Sequence, residues 1–134
     1  MQILRNGLLM LLTAALLIAC SASNSPEKVA ENYITAVLAN DIDGVMKTLH
    51  VPSDVNDGQE ALVRGKLTML LAETSTRAIS LGGVKDISYS KPEYNKDETR
   101  AHIIATISYK KDSASQKREN ISLVKTDDGW KVSL

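Results

Sequence analysis

Thr99-Arg100-Ala101-His102-Ile103-Ile104-Ala105-Thr106-Ile107-Ser108-Tyr109-Lys110 alternates side-chain character along its length. Ala101, Ile103, Ala105, Ile107 and Tyr109 share one face. Arg100, His102, Ile104, Thr106 and Ser108 share the other. A period of two is the mark of a strand with one buried face. Such a strand needs neighbours to pair with and a second layer to cover it.

The chain supplies the neighbours close by. Val84–Ser90 precedes it. Lys117–Thr126 follows a polar Lys111–Gln116 turn, and Trp130–Leu134 closes the set. Asp127-Asp128-Gly129 is a tight hairpin turn in which Gly supplies a positive φ. Short connections between successive strands exclude parallel crossovers and predict an antiparallel meander. The residues expected to face inward are Val84, Ile87, Tyr89, Ala101, Ile103, Ala105, Ile107, Tyr109, Ile121, Leu123, Trp130 and Val132. None is acidic, and Asp86 and Glu119 are expected in solvent.

The covering layer lies upstream. Ser25-Pro26-Glu27 is a helix start: a cap, a proline at the first position and a carboxylate at the positive end of the dipole. Val29, Ala30, Tyr33, Ala36 and Val37 then recur at helical spacing, and the helix ends near Asn40. Asp41 caps a short second helix through Leu49, with Ile42, Val45, Met46 and Leu49 inward. His50-Val51-Pro52 stops it, because the residue before proline is pushed out of helical geometry. Ser53–Gly58 is a polar loop. A third helix begins near Gln59 and carries Leu67, Leu70, Leu71, Thr74, Ala78 and Leu81 to the Gly82-Gly83 stop. Thr74-Ser75-Thr76 is its weak point, and an alternative ends it near Glu73 with Ala78–Leu81 as a strand. Three helices followed by four strands predict an α+β fold with the helices on one face of the sheet.

The N-terminus carries an address. Arg5 precedes the apolar run Leu8–Ile18, which is far shorter than the ~20 residues that span a bilayer. Leu17-Ile18-Ala19-Cys20 resembles a bacterial lipoprotein signal. The resemblance implies a diacylglyceryl group on the Cys20 sulfur and cleavage before it. Residues 1–19 are then the signal, 20–24 a small polar tether, and 25–134 the domain. Ser21, where Asp would favour the inner membrane in enteric bacteria, leans towards the outer membrane. An ordinary signal peptide with a chance cysteine is the competing reading. Each buried methylene contributes about 0.8 kcal/mol, so two or three acyl chains anchor durably. Cys20 is the only cysteine, so no intramolecular disulfide supports the fold.

The arrangement also resembles the small bacterial lipoproteins of the nuclear transport factor 2-like (cystatin-like) superfamily of unassigned function. The matching stretches are Ser25–Ala30, Ala39–Asp43, Gly82–Val84 and above all Leu123–Val132, a strand, an acidic-Gly turn and Trp-Lys-apolar. The resemblance implies that the four-stranded sheet is curved and, with the helices, forms a cone whose open end often holds a ligand.

Chemistry is sparse. With 16 basic and 16 acidic residues there is no basic surface for nucleic acid. The two histidines, His50 and His102, are far apart, so neither a metal site nor a cofactor is expected. There is no Gly-x-Ser-x-Gly elbow, phosphate loop or dinucleotide fingerprint. No catalytic residue is assigned and the domain is read as a non-enzyme. Tyr33, Tyr89, Tyr109 and Trp130 are the candidates to line a pocket for a small apolar ligand, against the alternative that they simply fill the core. The expected partners are the membrane, through the lipid on Cys20, and a protein or a small apolar ligand. The alternatives are a steroid-isomerase-type pocket enzyme and a homodimeric module paired through the outer sheet face around Ile104.

The lipoprotein signal makes a direct prediction. Cys20→Ser releases the protein from membranes and leaves the fold intact. Fractionation of cells with immunodetection measures this, and full retention of the variant in membranes rules out lipidation at Cys20.

Overall fold

The computed structural model describes residues 24–111 and 115–134. The signal residues Leu17, Ile18 and Ala19, and Cys20 itself, lie outside the described residues. The elements are α1 (Pro26–Leu38), α2 (Ile42–Thr48), α3 (Asp57–Ser80), β1 (Val84–Tyr89), β2 (Glu93–Tyr94), β3 (Arg100–Tyr109), β4 (Gln116–Thr126) and β5 (Gly129–Ser133). Among the described residues no helix is long and apolar enough to cross a membrane.

Local chemistry sets the helix ends. Ser25 accepts the Lys28 N–H and Asp41 the Gly44 N–H. Asn56 and Gln59 form a reciprocal capping box. α3 therefore starts at Asp57, two residues before the expected position, because the box captures the end of the polar loop. The helix runs unbroken through Thr74-Ser75-Thr76, so the strand alternative for Ala78–Leu81 does not occur. Its end is a Schellman motif: Gly82 N–H donates to Ile79 O and Gly83 N–H to Ala78 O, with Gly82 at φ 81°. Asn40, at φ 55°, ends α1 in the same way. α2 stops at Thr48, one residue early, because Leu49 joins Val132 in an isolated parallel bridge.

The sheet is antiparallel and has five strands, not four. β3 pairs with β4 on one side, and with β1 and then β2 on the other. The two short strands are one edge interrupted at Ser90-Lys91-Pro92. Proline cannot donate to the ladder. Ser90 spans the gap, its N–H donating to Ile104 O and its hydroxyl accepting from Ile104 N–H. β5 closes the far edge through the Asp127-Asp128 turn, with Gly129 at φ 99°.

The expected inner row is in place. Ala101, Ile103, Ala105, Ile107 and Tyr109 are all buried, with Ile121, Leu123, Trp130 and Val132 beside them. Val84, Ile87 and Tyr89, near the edge, are half-buried. From the helices, Val29, Ala30, Ile34, Val45, Leu67 and Leu71 belong to the same core cluster. Leu70 departs from expectation: it is 53% exposed, because the inward face of α3 runs through Leu67, Leu71, Thr74 and Ala78.

Tyr109 is wholly buried, and its hydroxyl has no hydrogen-bond partner among the described residues. A buried unpaired polar group costs about 1–3 kcal/mol. Tyr109→Phe is therefore expected to raise the unfolding free energy by roughly that amount in urea denaturation. A loss of stability would mean that the hydroxyl is satisfied in solution.

Candidate functional site

A cavity lies beside the start of β4. Cross-strand neighbours share a face, so Glu119, opposite Ala105, and Lys117, opposite Ile107, point to the helix-covered side of the sheet. This corrects the expectation that Glu119 sits on the solvent face. The signal was present in the period of two: counting back from Leu123 and Ile121 reaches Glu119 and Lys117. Lys117 Nζ lies 2.8 Å from Glu119 Oε1, with the two side chains 34% and 38% exposed.

Opposite this pair, α1 presents Tyr33, Ile34 and Val37, and α3 presents Leu70 and Thr74. Together with Ile107, Lys117 and Glu119 they line a cavity of about 320 Å³. Its floor is apolar, and its rim carries a phenol, an ammonium and a carboxylate. Burial pushes the Tyr33 phenol above its ordinary value of 10.0, and the Glu119 carboxylate pushes it further the same way. Thr74 is a buried polar residue of the core.

The four aromatics expected in one pocket are not brought together. Tyr33 lines the cavity. Tyr109 fills the core instead, at the β3 end where Val84 pairs. Tyr89 pairs with Ala105 at the sheet edge, its phenol raised by burial and by Glu31. Trp130 lies towards the opposite end of the sheet, stacked at 6.0 Å and 60° on Tyr94. Along β3 the row of Trp130, at Thr99, and that of Tyr109 are separated by roughly 33 Å, about ten residues at 3.3 Å each. One shared pocket would have to span the length of the sheet.

A second hollow, of about 260 Å³, lies beneath the α2–α3 connection, with Met46, Leu49, Pro52 and Val63 among its walls. It is more apolar, and sequence periodicity did not reveal it because its walls come from four places, α2, the loop after it, the start of α3 and the end of β5. The Tyr33 cavity is the stronger candidate, since convergent polar groups over an apolar floor mark ligand sites. Among the described residues no three His, Cys, Asp or Glu side chains cluster as metal ligands.

Residues 18–133 match the family model DUF4878, a domain of unknown function. The chain belongs to the DUF4878 family. It is also similar to a crystal structure from Campylobacter jejuni provisionally named an NTF2-like transpeptidase. The two share 29% identity and a TM-score of 0.73, over 82% of this chain and 98% of that one. The DUF4878 domain described here is thus nuclear transport factor 2-like, as its α+β order implies. No curated protein matches the chain.

The raised Tyr33 phenol has a measurable consequence. A phenol whose folded value is raised contributes stability that is present below 10.0 and lost as pH rises through the folded value. Tyr33→Phe is expected to weaken that alkaline loss. Glu119→Gln is expected to lower the Tyr33 value only part of the way, since burial is the larger cause. Near-ultraviolet titration of wild type against both variants reads the effect, and an unchanged Tyr33 transition in Glu119→Gln separates the two groups.

Proposed function

We propose that this protein is a lipid-anchored, non-catalytic module of the bacterial cell envelope that holds a small amphipathic ligand in the Tyr33 cavity. The observation that carries the reading is the pairing of an apolar floor, Ile34, Val37 and Ile107, with Leu70, Tyr33, Lys117 and Glu119 at the rim. A cavity near 320 Å³ is at the small end of ligand pockets, which run from about 300 to 1,000 Å³.

Two observations support the anchor, and a third sets its reach. The family match begins at residue 18, so Cys20 falls inside the matched stretch. The lipobox residues Leu17, Ile18 and Ala19 precede it. Asn24, four residues on, accepts the Trp130 N–H at 2.7 Å. A fully extended tether therefore holds the Trp130 end of the domain within ~14 Å of Cys20. The outer membrane is the favoured location, because Ser21 and not Asp follows the cysteine.

The transpeptidase name of the Campylobacter jejuni structure is not carried over. Among the described residues that line the cavity there is neither serine nor cysteine, the usual acyl-transfer nucleophiles. A pocket isomerase is the second reading, favoured by the inward Glu119 carboxylate beside Tyr33. Against it, Glu119 is 38% exposed and engaged by Lys117, whereas general bases of this kind are set apart by burial.

An anionic naphthalene-sulfonate fluorophore tests the binding reading on the full chain. Lys117→Glu is expected to weaken its binding about tenfold or more, equivalent to ~1.4 kcal/mol. Leu62→Glu, on the outer face of α3, is expected to leave it unchanged. Equal binding by wild type and Lys117→Glu overturns the assignment. Turnover of an unsaturated ketone that Glu119→Gln abolishes without loss of binding selects the isomerase.

A further inference from the structure

α3 has two apolar faces. The inner one is buried on α1 and α2. The outer one carries Leu62, Gly65, Met69, Ala72, Thr76 and Ile79, spaced alternately three and four residues apart, which is the repeat of a two-helix seam. All six are exposed, Leu62 at 60%, Met69 at 77% and Ile79 at 74%. No charge interrupts the stripe. Gly65 lacks a reason within the chain: glycine weakens a helix interior, yet a Cβ there would meet nothing within 4 Å.

We propose that this face pairs with the same face of a second copy of the chain, the two α3 helices running antiparallel. Placing a two-fold axis through the middle of the stripe sets Met69 of one copy on Ala72 of the other, Gly65 on Thr76, and Leu62 on Ile79. Each central layer then joins a larger side chain to a smaller one, the arrangement that packs without voids. The same axis sets Lys66 beside Glu73 of the second copy, and the symmetry repeats the pair. Within one chain these residues are about 10 Å apart along the helix. Neither takes part in an ion pair among the described residues. A parallel pairing lacks both features. It sets Gly65 on Gly65 and Met69 on Met69, and it places Lys66 beside Ala61 and Glu73 beside Thr68. Charge and size complementarity therefore select a second copy in one orientation. The stripe runs about 26 Å, at the low end of stable interfaces, so association in the micromolar range is expected.

The full chain, prepared in mild detergent as an equal mixture of isotopically heavy and light protein, provides the test. Carbodiimide treatment followed by mass spectrometry is expected to yield a heavy–light cross-link between Lys66 and Glu73. In sedimentation, Lys66→Glu and Glu73→Lys are each expected to raise the dissociation constant about tenfold or more, and the double variant to restore it. Met69→Asp, at a site that takes no part in the core, is expected to leave a folded monomer. A wild-type chain that stays monomeric through the micromolar range overturns the proposal. So does a dimer indifferent to both charge reversals. Protection of α3 by lipid vesicles without a heavy–light product gives the face to the membrane and also overturns it.

Discussion

The structure depends on the inner row of β3. Ala101, Ile103, Ala105, Ile107 and Tyr109 are each no more than 4% exposed, and every other layer is placed by the need to cover them. A slip of one residue would bring Arg100, His102 and Ser108 into the core, so the register with β1 and β4 is strongly specified. The alanines in the row leave room for the helix layer, and the isoleucines between them fill the space beside it. α1 crosses the row directly. α3 packs mainly on α1 and α2 and stands off the sheet.

That stand-off explains both the cavity and the exposed face of α3. Where the helix layer thins, at the start of β4, the inner row ceases to be apolar and continues as Glu119 and Lys117. A charged pair is tolerated there because the cavity reaches water. The Tyr33 phenol joins it from α1. Among the described residues α3 is packed along one face, and its opposite face is exposed. Arg64 ties its first turns to α2 through Asp43 at 2.9 Å.

Most of the fold is legible in the residues. The alternation of β3, the caps Ser25 and Asp41, and the Gly82-Gly83 stop act locally, so each can be read without knowing its neighbours. β2 was not legible, because two residues, Glu93 and Tyr94, carry no period, and their strand character comes from pairing with His102 and Ala101. The surface position of Leu70 was hidden because three-to-four spacing around it fits either face of a helix with apolar residues on both. The site was half legible. Tyr33 stood out as an aromatic on the inner side of α1. Glu119 was expected in solvent because a carboxylate is costly to bury, yet its parity with Ile121 places it on the inner face. The four aromatics did not converge, because residue type says nothing about distance along a sheet.

The sequence by itself determined the order of elements, the α+β class, the inner row of the sheet and the turns that join it, since each rests on periodicity or on the conformational demands of a few adjacent residues. The motif at Cys20 likewise belongs to the sequence alone. Only the tertiary structure decided that Tyr33 meets Lys117 and Glu119, that Trp130 stacks on Tyr94 and not in the cavity, and that one face of α3 stays open among the described residues. Those outcomes depend on how far one layer stands from another, and that distance is set by the summed packing of side chains far apart in the chain.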